Sequence, residues 1–317
     1  MKVAGKMTLF VIAGLFLLAG GVSGCVGWSA ERKFPPVGNF VTIDGRQIHY
    51  LDIGPRNADL PPVVLVHGAS VNLKDMKLAL GDVLSRDRRV VMIDRAGRGY
   101  TERRSGDWQL HQQAGVVHAV VEELGLEDVL LVGQSYGGAV ALAYAIDHQA
   151  SLSGLVLLAP VSHEWPGGVA WYNTAAGVPG FGLLFRRLVL PIYANVAAEG
   201  SVRESFAPDT APEDYYERAG VPLLFRSKDF KSNAEDIRNL KAEIVEQSSD
   251  YSQIQIPTLI MAGEADTTVS PQIHAETLAK EIADAVLVPL PETGHALHHA
   301  ETDRILAEIK LRFGGAS

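Results

Sequence analysis

One segment near the middle of the chain restricts the possible folds more than any other. The apolar run at residues 129–132 predicts a buried strand, and residues 139–147 favour a helix. Between them lies Gly133-Gln134-Ser135-Tyr136-Gly137, a G-x-S-x-G pattern. A serine between strand and helix needs a very tight turn, so the positions two before and two after it need almost no side chain. Such a turn lifts the Ser135 hydroxyl out of the sheet, beside the first N–H groups of the helix. The alternative is a glycine-rich turn with an idle serine.

Other apolar runs predict the rest of a sheet. Residues 39–43 and 47–53 alternate in polarity around Asp44-Gly45, which predicts a hairpin. The remaining predicted strands are residues 63–66, 89–93, 129–132, 155–158, 258–261 and 285–290. Helical patterns lie between most of them, notably at residues 108–124 and 273–282. Continuous apolar strands that alternate with helices predict an α/β fold: a mostly parallel, eight-stranded sheet covered by helices, with the hairpin antiparallel at one edge.

Residues 161–249 break this alternation. They contain no convincing strand, and residues 214–225 and 234–246 have helical patterns. The interval is far longer than a normal crossover. We therefore expect a mostly helical cap at 161–249, inserted into a core formed by residues 38–160 and 250–317. A separately functioning domain is the alternative.

Polar residues follow the predicted strands where the strands end. These residues are His67, Asp94, Ser135, Asp266 and His295. In open α/β sheets the chemistry collects at the carboxyl ends of the strands. A serine nucleophile needs a base within hydrogen-bond reach and an acid that orients the base. The set therefore contains the residue types for nucleophilic catalysis.

The order of these motifs resembles the α/β-hydrolase fold superfamily over roughly residues 38–315. The motifs are His67-Gly68, Asp94-Arg95-Ala96-Gly97-Arg98-Gly99, the serine turn, Gly263-Glu264-Ala265-Asp266 and Gly294-His295. The resemblance implies that Ser135 attacks an acyl carbonyl, that His295 is the base, and that Asp266 orients it. It also implies an oxyanion hole formed by the backbone N–H groups of Ala69 and Tyr136.

Neighbouring residues compete for two of these roles. His298 and His299 lie close behind His295, but only His295 follows the small residue that ends the strand turn. Glu264 is an alternative acid to Asp266, because both belong to the same turn. The resemblance favours His295 and Asp266.

The same sequence excludes several other chemistries. The turn carries serine rather than aspartate, which argues against the epoxide hydrolases and haloalkane dehalogenases of this fold, since they use a carboxylate. Residues 67–70 lack the longer glycine-rich string of hormone-sensitive-lipase-like esterases. His67 and Asp94 are interpreted as structural residues. No cluster has metal-ligand spacing and no loop has a phosphate-binding pattern, so we expect no cofactor and no metal.

The composition of the predicted cap favours an apolar small-molecule substrate. Its apolar side chains include Trp165, Trp171, Tyr172, Phe181, Leu183, Leu184 and Phe185, although ordinary packing would also account for most of them. We expect a carboxylic ester hydrolase. A lactonase, thioesterase, C–C bond hydrolase or cofactor-free perhydrolase would use the same triad, and a ligand-binding protein that has lost turnover is the alternative of another class. The net charge of −9, without a basic cluster, argues against nucleic acid as a partner.

The N-terminus predicts export. Lys2 and Lys6 precede the apolar run at residues 9–18, the arrangement of a signal peptide over residues 1–24. Val22-Ser23-Gly24-Cys25 resembles the bacterial lipobox, and Cys25 is the only cysteine. The resemblance implies a Cys25-acylated protein on a membrane, with residues 25–37 as a tether. Valine at position 26 favours the outer membrane of a Gram-negative cell. An uncleaved transmembrane helix and an incidental cysteine are the alternatives.

Overall fold

An eight-stranded sheet forms the centre of the protein, in the order β1-β2-β4-β3-β5-β6-β7-β8. The computed structural model describes residues 20–21, 24–25 and 27–314, with the backbone alone for 190–197. The strands are β1 (Asn39–Ile43), β2 (Arg46–Ile53), β3 (Val63–Val66), β4 (Val90–Ile93), β5 (Val129–Gln134), β6 (Leu152–Leu158), β7 (Thr258–Gly263) and β8 (Ala285–Leu290). The pairs β1–β2 and β2–β4 are antiparallel and the others are parallel, which confirms the predicted fold class.

The central strands are buried on both faces. Val64 and Leu131 belong to the apolar cluster on one face of the sheet. Val63 and Val132 belong to the cluster on the opposite face. Successive side chains of a strand point to opposite faces, so a strand covered on both sides must be apolar at every position. The uninterrupted apolar runs in the sequence are explained by this double burial.

Helices cover the two faces and fill the interval between β6 and β7. They are α1 (Leu73–Met76), α2 (Asp82–Leu84), α3 (Leu110–Glu123), α4 (Tyr136–His148), α5 (Trp171–Gly177), α6 (Phe181–Leu184), α7 (Leu190–Phe206), α8 (Tyr215–Arg218), α9 (Ser227–Gln247), α10 (Ala275–Glu281), α11 (Leu297–Ala300) and α12 (Thr302–Phe313). The first turns of α4 pack directly behind the sheet, and every residue from 136 to 145 is buried.

The interval between β6 and β7 is helical, with α5 to α9 and no strand among its described residues. Where the sequence predicts one helix at 214–225, the structure has α8 and a separate 3-10 turn, Val221–Phe225. Gly220 separates them with a φ of 63°, a left-handed conformation that interrupts an α-helix. The predicted helix at 234–246 lies within the longer α9.

Polar contacts fix this interval over the carboxyl ends of the strands. Asn233 of α9 accepts a hydrogen bond from the Ser70 N–H in the loop after β3, at 2.7 Å. Asp209 accepts one from the Gly294 N–H in the loop after β8, also at 2.7 Å. The segment therefore lies above the edge where the predicted site residues collect. Its division from the core at residues 161 and 249 stays a prediction.

The described part of the predicted tether is folded onto the protein. Residues 27–33 are helical, and Phe34 is buried against Leu223. Glu31 forms an ion pair with Arg226 at 3.0 Å. Cys25 is exposed, while most of the predicted signal peptide lies outside the described residues. Within the part of the chain that the structure describes, no helix is long and apolar enough to cross a bilayer.

Candidate active site

The turn between β5 and α4 holds Ser135 in a strained conformation. Its φ is 54° and its ψ is −118°, a region that non-glycine residues rarely occupy. The glycines on either side permit the turn. A Cβ atom on Gly137 would collide with the carbonyl oxygens of Val66 and His67, and one on Gly133 would collide with the carbonyl of Gly137. Only glycine therefore lets the turn approach the end of β3 this closely.

The structure brings Ser135, His295 and Asp266 together. His295 Nε2 lies 3.0 Å from Ser135 Oγ, and His295 Nδ1 lies 2.7 Å from Asp266 Oδ2. An ionised carboxylate can only accept hydrogen bonds, so the neutral imidazole carries its proton on Nδ1. Nε2 is then free to accept the proton of the serine hydroxyl. The arrangement provides a nucleophile, a base and an acid in one hydrogen-bonded line.

Backbone contacts hold Asp266 in this orientation. Its second oxygen, Oδ1, accepts hydrogen bonds from the N–H groups of Thr268 at 2.8 Å and Val269 at 2.9 Å. The Asp266 side chain is buried, whereas Glu264, the alternative acid, is exposed. The structure thus brings Asp266, and not Glu264, to His295.

The alternative bases, His298 and His299, point at a different carboxylate. Their Nε2 atoms lie 2.9 and 2.8 Å from Asp75, a buried residue of α1. The hydroxyl of Tyr215 donates to the same carboxylate at 2.7 Å. Asp75, His298 and His299 form a group whose ligand atoms lie within 4.8 Å of one another, so they could hold a metal ion. Their contacts have hydrogen-bond lengths, and each Asp75 oxygen already accepts a hydrogen bond.

The two predicted oxyanion donors flank Ser135. Tyr136 is the first residue of α4, so its N–H has no acceptor within the helix. The loop after β3 carries Ala69 and lies against the nucleophile, since a Cβ on Gly68 would be 3.3 Å from Ser135 Cβ. Ser70, the next residue, has a φ of 63° and is held by Asn233.

His67 is neutral and fixed in one tautomer. Its Nε2 accepts the Arg95 N–H at 3.1 Å, so its Nδ1 donates to the Gly68 carbonyl at 2.8 Å. Burial, with the adjacent positive charge of Arg95, lowers the pKa of His67 to about 3. It has no contact with Ser135 among the described hydrogen bonds and acts on the loop that carries Ala69.

Asp94 has a structural role as well. It accepts hydrogen bonds from the N–H groups of Leu73 and Tyr100, both at 2.9 Å. His49 Nδ1 lies 2.7 Å from its Oδ2. Burial opposes ionisation of this carboxyl, but the contact with His49 holds its pKa below the usual value. Asp94 therefore orders the loop after β4.

The aromatic side chains of the predicted cap do not form one apolar pocket wall. Trp171 is 68% exposed and Phe181 is 55% exposed. Phe185 is buried between them, with ring centroids 5.8 Å from Trp171 and 6.2 Å from Phe181. Packing within the cap accounts for Phe185, while Trp171 and Phe181 present apolar surface to solvent.

Sequence reasoning missed four polar residues that hold the site loops. Asp75 binds the segment after His295, Asp209 binds the residue before it, and Asn233 binds the residue after Ala69. The fourth is Arg95, which contacts the carbonyls of His67 and Gly68. None belongs to a local pattern that indicates its partner; only Arg95 lies in a motif, the loop after β4.

Comparisons with known proteins agree with this architecture. A family model described as alpha/beta hydrolase fold matches residues 61–302. The chain is 30% identical over 294 residues to 2-hydroxymuconate semialdehyde hydrolase of Pseudomonas putida, which covers 88% of this chain and 96% of that protein. It is 28% identical over 292 residues to haloalkane dehalogenase 2 of Mycobacterium tuberculosis, covering 84% and 92%. The enol-lactonase from Burkholderia xenovorans has a similar fold, with a TM-score of 0.70, 21% identity and coverage of 87% and 100%.

Proposed function

Because this chain belongs to the α/β-hydrolase fold family, we propose that it is a serine hydrolase that cleaves carboxylic esters with apolar acyl or alkyl groups. One observation carries the proposal: an unbroken hydrogen-bonded line runs from Ser135 through His295 to Asp266, at 3.0 and 2.7 Å. A strained serine beside a neutral, correctly oriented imidazole is the arrangement that acyl transfer requires.

Acylation would proceed by attack of Ser135 Oγ on the ester carbonyl while His295 Nε2 takes the hydroxyl proton. The carbonyl oxygen then carries a negative charge, which the N–H groups of Ala69 and Tyr136 would stabilise. Each such donor is typically worth about 3 to 4 kcal/mol in the transition state. Collapse of the intermediate breaks the bond to the alcohol, which leaves with the proton from His295.

Deacylation would repeat these steps with water as the nucleophile. His295 takes a proton from the water, the hydroxide attacks the acyl-enzyme, and Ser135 leaves with the proton that His295 returns. Asp266 stays ionised throughout and stabilises the imidazolium that forms in each half-reaction. Its two bonds to backbone N–H groups favour the ionised form.

A C–C bond hydrolase is the second candidate, because the relative at 30% identity bears that activity in its name. The same Ser135, His295 and Asp266 would serve it. A dehalogenase is disfavoured, because the turn after β5 carries Ser135 where that chemistry requires a carboxylate. Lactonase, thioesterase and perhydrolase activities, and a ligand-binding protein without turnover, remain the other members of the comparison.

The test is a substrate panel with wild-type and Ser135→Ala proteins. We expect hydrolysis of short- and medium-chain nitrophenyl esters that exceeds hydrolysis of 2-hydroxymuconate semialdehyde, and loss of both in the variant. The reverse preference would replace the ester proposal by C–C bond hydrolysis. A folded wild-type protein that turns over neither substrate would favour the ligand-binding alternative.

We also propose that the enzyme is exported and anchored to a membrane by acylation of Cys25, in the outer membrane if the cell is Gram-negative. The lipobox-like sequence supports this, and Cys25 is exposed. Cells fed an alkyne analogue of palmitate should label the wild-type chain and not a Cys25→Ser chain. Equal labelling of both would contradict acylation at this position.

A further inference from the structure

We propose that Arg95 is the positioning residue of the oxyanion hole, because its buried guanidinium contacts the supports of both donors, Ala69 and Tyr136. The inference rests on the proposed hydrolase function and goes beyond the triad. Arg95 does not touch the substrate; it acts through the two backbone groups that would.

The first support is the peptide unit between Gly68 and Ala69. Arg95 Nη2 donates to the Gly68 carbonyl at 3.1 Å, and His67 Nδ1 donates to the same oxygen at 2.8 Å. A trans peptide is planar, with its C=O and N–H pointing in opposite directions. Two donors on the Gly68 oxygen therefore fix the direction of the Ala69 N–H. They also polarise the peptide, which strengthens its N–H as a donor.

The second support is the ring of Tyr136. The Arg95 guanidinium lies over this ring, 4.2 Å from its centroid, which is cation–π geometry. Gln113 completes the contact: its Oε1 accepts from Arg95 Nη1 at 2.8 Å, and its Nε2 donates to the Tyr136 hydroxyl at 3.3 Å. Both ends of the Tyr136 side chain are thus held, which fixes the first residue of α4.

The burial of Arg95 shows that its position is specified. Its side chain is fully buried and forms an ion pair with the equally buried Asp236 of α9 at 3.1 Å. Arg95 Nε donates to the His67 carbonyl at 3.0 Å. A buried charge is costly unless it is paired and hydrogen-bonded, and a planar guanidinium satisfies several fixed partners at once. The ion pair links the oxyanion loop to the helix above it.

Arg98 provides a matched control. It is also buried and belongs to the same loop after β4. It donates to the Val71 carbonyl at 3.0 and 3.2 Å and to the Asp229 carbonyl at 2.9 Å. These peptides do not carry either oxyanion donor. Loss of Arg98 therefore removes a comparable buried cation without releasing Ala69 or Tyr136.

The experiment compares wild-type, Arg95→Met, Arg95→Lys and Arg98→Met proteins in nitrophenyl butyrate hydrolysis. We expect Arg95→Met to lower kcat about 10- to 100-fold, somewhat less than loss of a whole oxyanion donor. KM should stay within about threefold of wild type, because the contact acts mainly in the transition state. Arg95→Lys should recover part of kcat. Arg98→Met should lower the melting temperature and leave kcat within about threefold.

A boronic acid that forms a tetrahedral adduct with the serine gives an independent readout. Its affinity should fall in parallel with kcat in Arg95→Met and not in Arg98→Met. Unchanged kcat and boronate affinity in a folded Arg95→Met protein would overturn the proposal, as would equal losses in Arg95→Met and Arg98→Met. If Arg95→Met does not fold, Arg95→Lys decides: reduced kcat at wild-type KM supports the role and unchanged kcat overturns it. A wild type without hydrolase activity would overturn the proposed function together with this inference.

Discussion

Replacement of Asp266 by asparagine should reverse the tautomer of His295. Oδ1 of Asp266 accepts two backbone N–H bonds, from Thr268 and Val269. In Asp266→Asn the amide oxygen must occupy that position, since an NH₂ group there would face two donors. The amide NH₂ then faces His295 Nδ1, which can accept its hydrogen bond only if the imidazole proton moves to Nε2. An Nε2–H points at Ser135 Oγ and can no longer take its proton.

The expected loss follows from this geometry. The substitution keeps the backbone contacts and the volume of the side chain, so the fold and the substrate pocket should be retained. The same exchange in a serine protease triad lowers kcat about 10⁴-fold through the wrong tautomer. We expect a similar factor here, equivalent to about 5 kcal/mol in the activation free energy. Steady-state hydrolysis of nitrophenyl butyrate measures it directly, with thermal unfolding as the check on folding.

Glu264→Gln is the matched control, because it neutralises a carboxylate two residues away that is exposed. Its kcat should stay within about twofold of wild type. An Asp266→Asn enzyme that keeps more than about a tenth of the wild-type kcat would refute the tautomer argument. Loss of activity in Glu264→Gln would instead assign the acid to Glu264.

Three further predictions concern stability. Gly137→Ala should lower the free energy of unfolding by about 1 to 3 kcal/mol, measured by urea denaturation, because the new Cβ collides with the Val66 and His67 carbonyls; an unchanged midpoint would contradict the turn geometry. The lowered pKa of His67 means that the unfolded state binds the proton first, so stability should fall as pH drops from about 6.5 to about 3. A His67→Gln protein should show a flatter dependence by up to about 1.4 kcal/mol per pH unit, and equal slopes would contradict the neutral assignment. Tyr215→Phe removes a donor to the buried Asp75 carboxylate and should cost about 1.5 to 3 kcal/mol in chemical unfolding; a neutral effect would show that the contact adds nothing.

The sheet could be predicted because its strands are buried on both faces. Continuous apolar runs located β3, β4 and β8 almost to the residue. The prediction for β6 began at residue 155, three residues late, because Ser153 and Gly154 interrupt the apolar run. Hydrogen bonding to β5 extends the strand through these residues, and no local propensity reports that pairing.

The helices between β6 and β7 were harder to place. The pattern at 214–225 ignores the left-handed Gly220, which ends α8 and starts a separate turn. Apolar side chains in this interval predicted a pocket wall, yet Trp171 and Phe181 are exposed. Periodicity reports that a side chain is apolar and not which surface covers it.

The candidate site divides in the same way. Ser135, Asp266 and His295 each follow a strand in a recognisable local motif, so the sequence could nominate them. The groups that hold them are joined only by the fold: Arg95 to Asp236 across 141 positions, and Asp75 to His299 across 224. A single sequence contains no local signal for such pairs, because each partner is an ordinary charged residue in its own segment.

The central claim is that Ser135 is the nucleophile of an acyl-transfer site. The most direct measurement is mass spectrometry of the soluble protein, residues 31–317, after treatment with a fluorophosphonate, with Ser135→Ala and His295→Ala proteins beside it. The account predicts one adduct, on the peptide that contains Ser135, with none in Ser135→Ala and a greatly slowed reaction in His295→Ala. A folded wild-type protein without an adduct, or one modified at another residue, would contradict it.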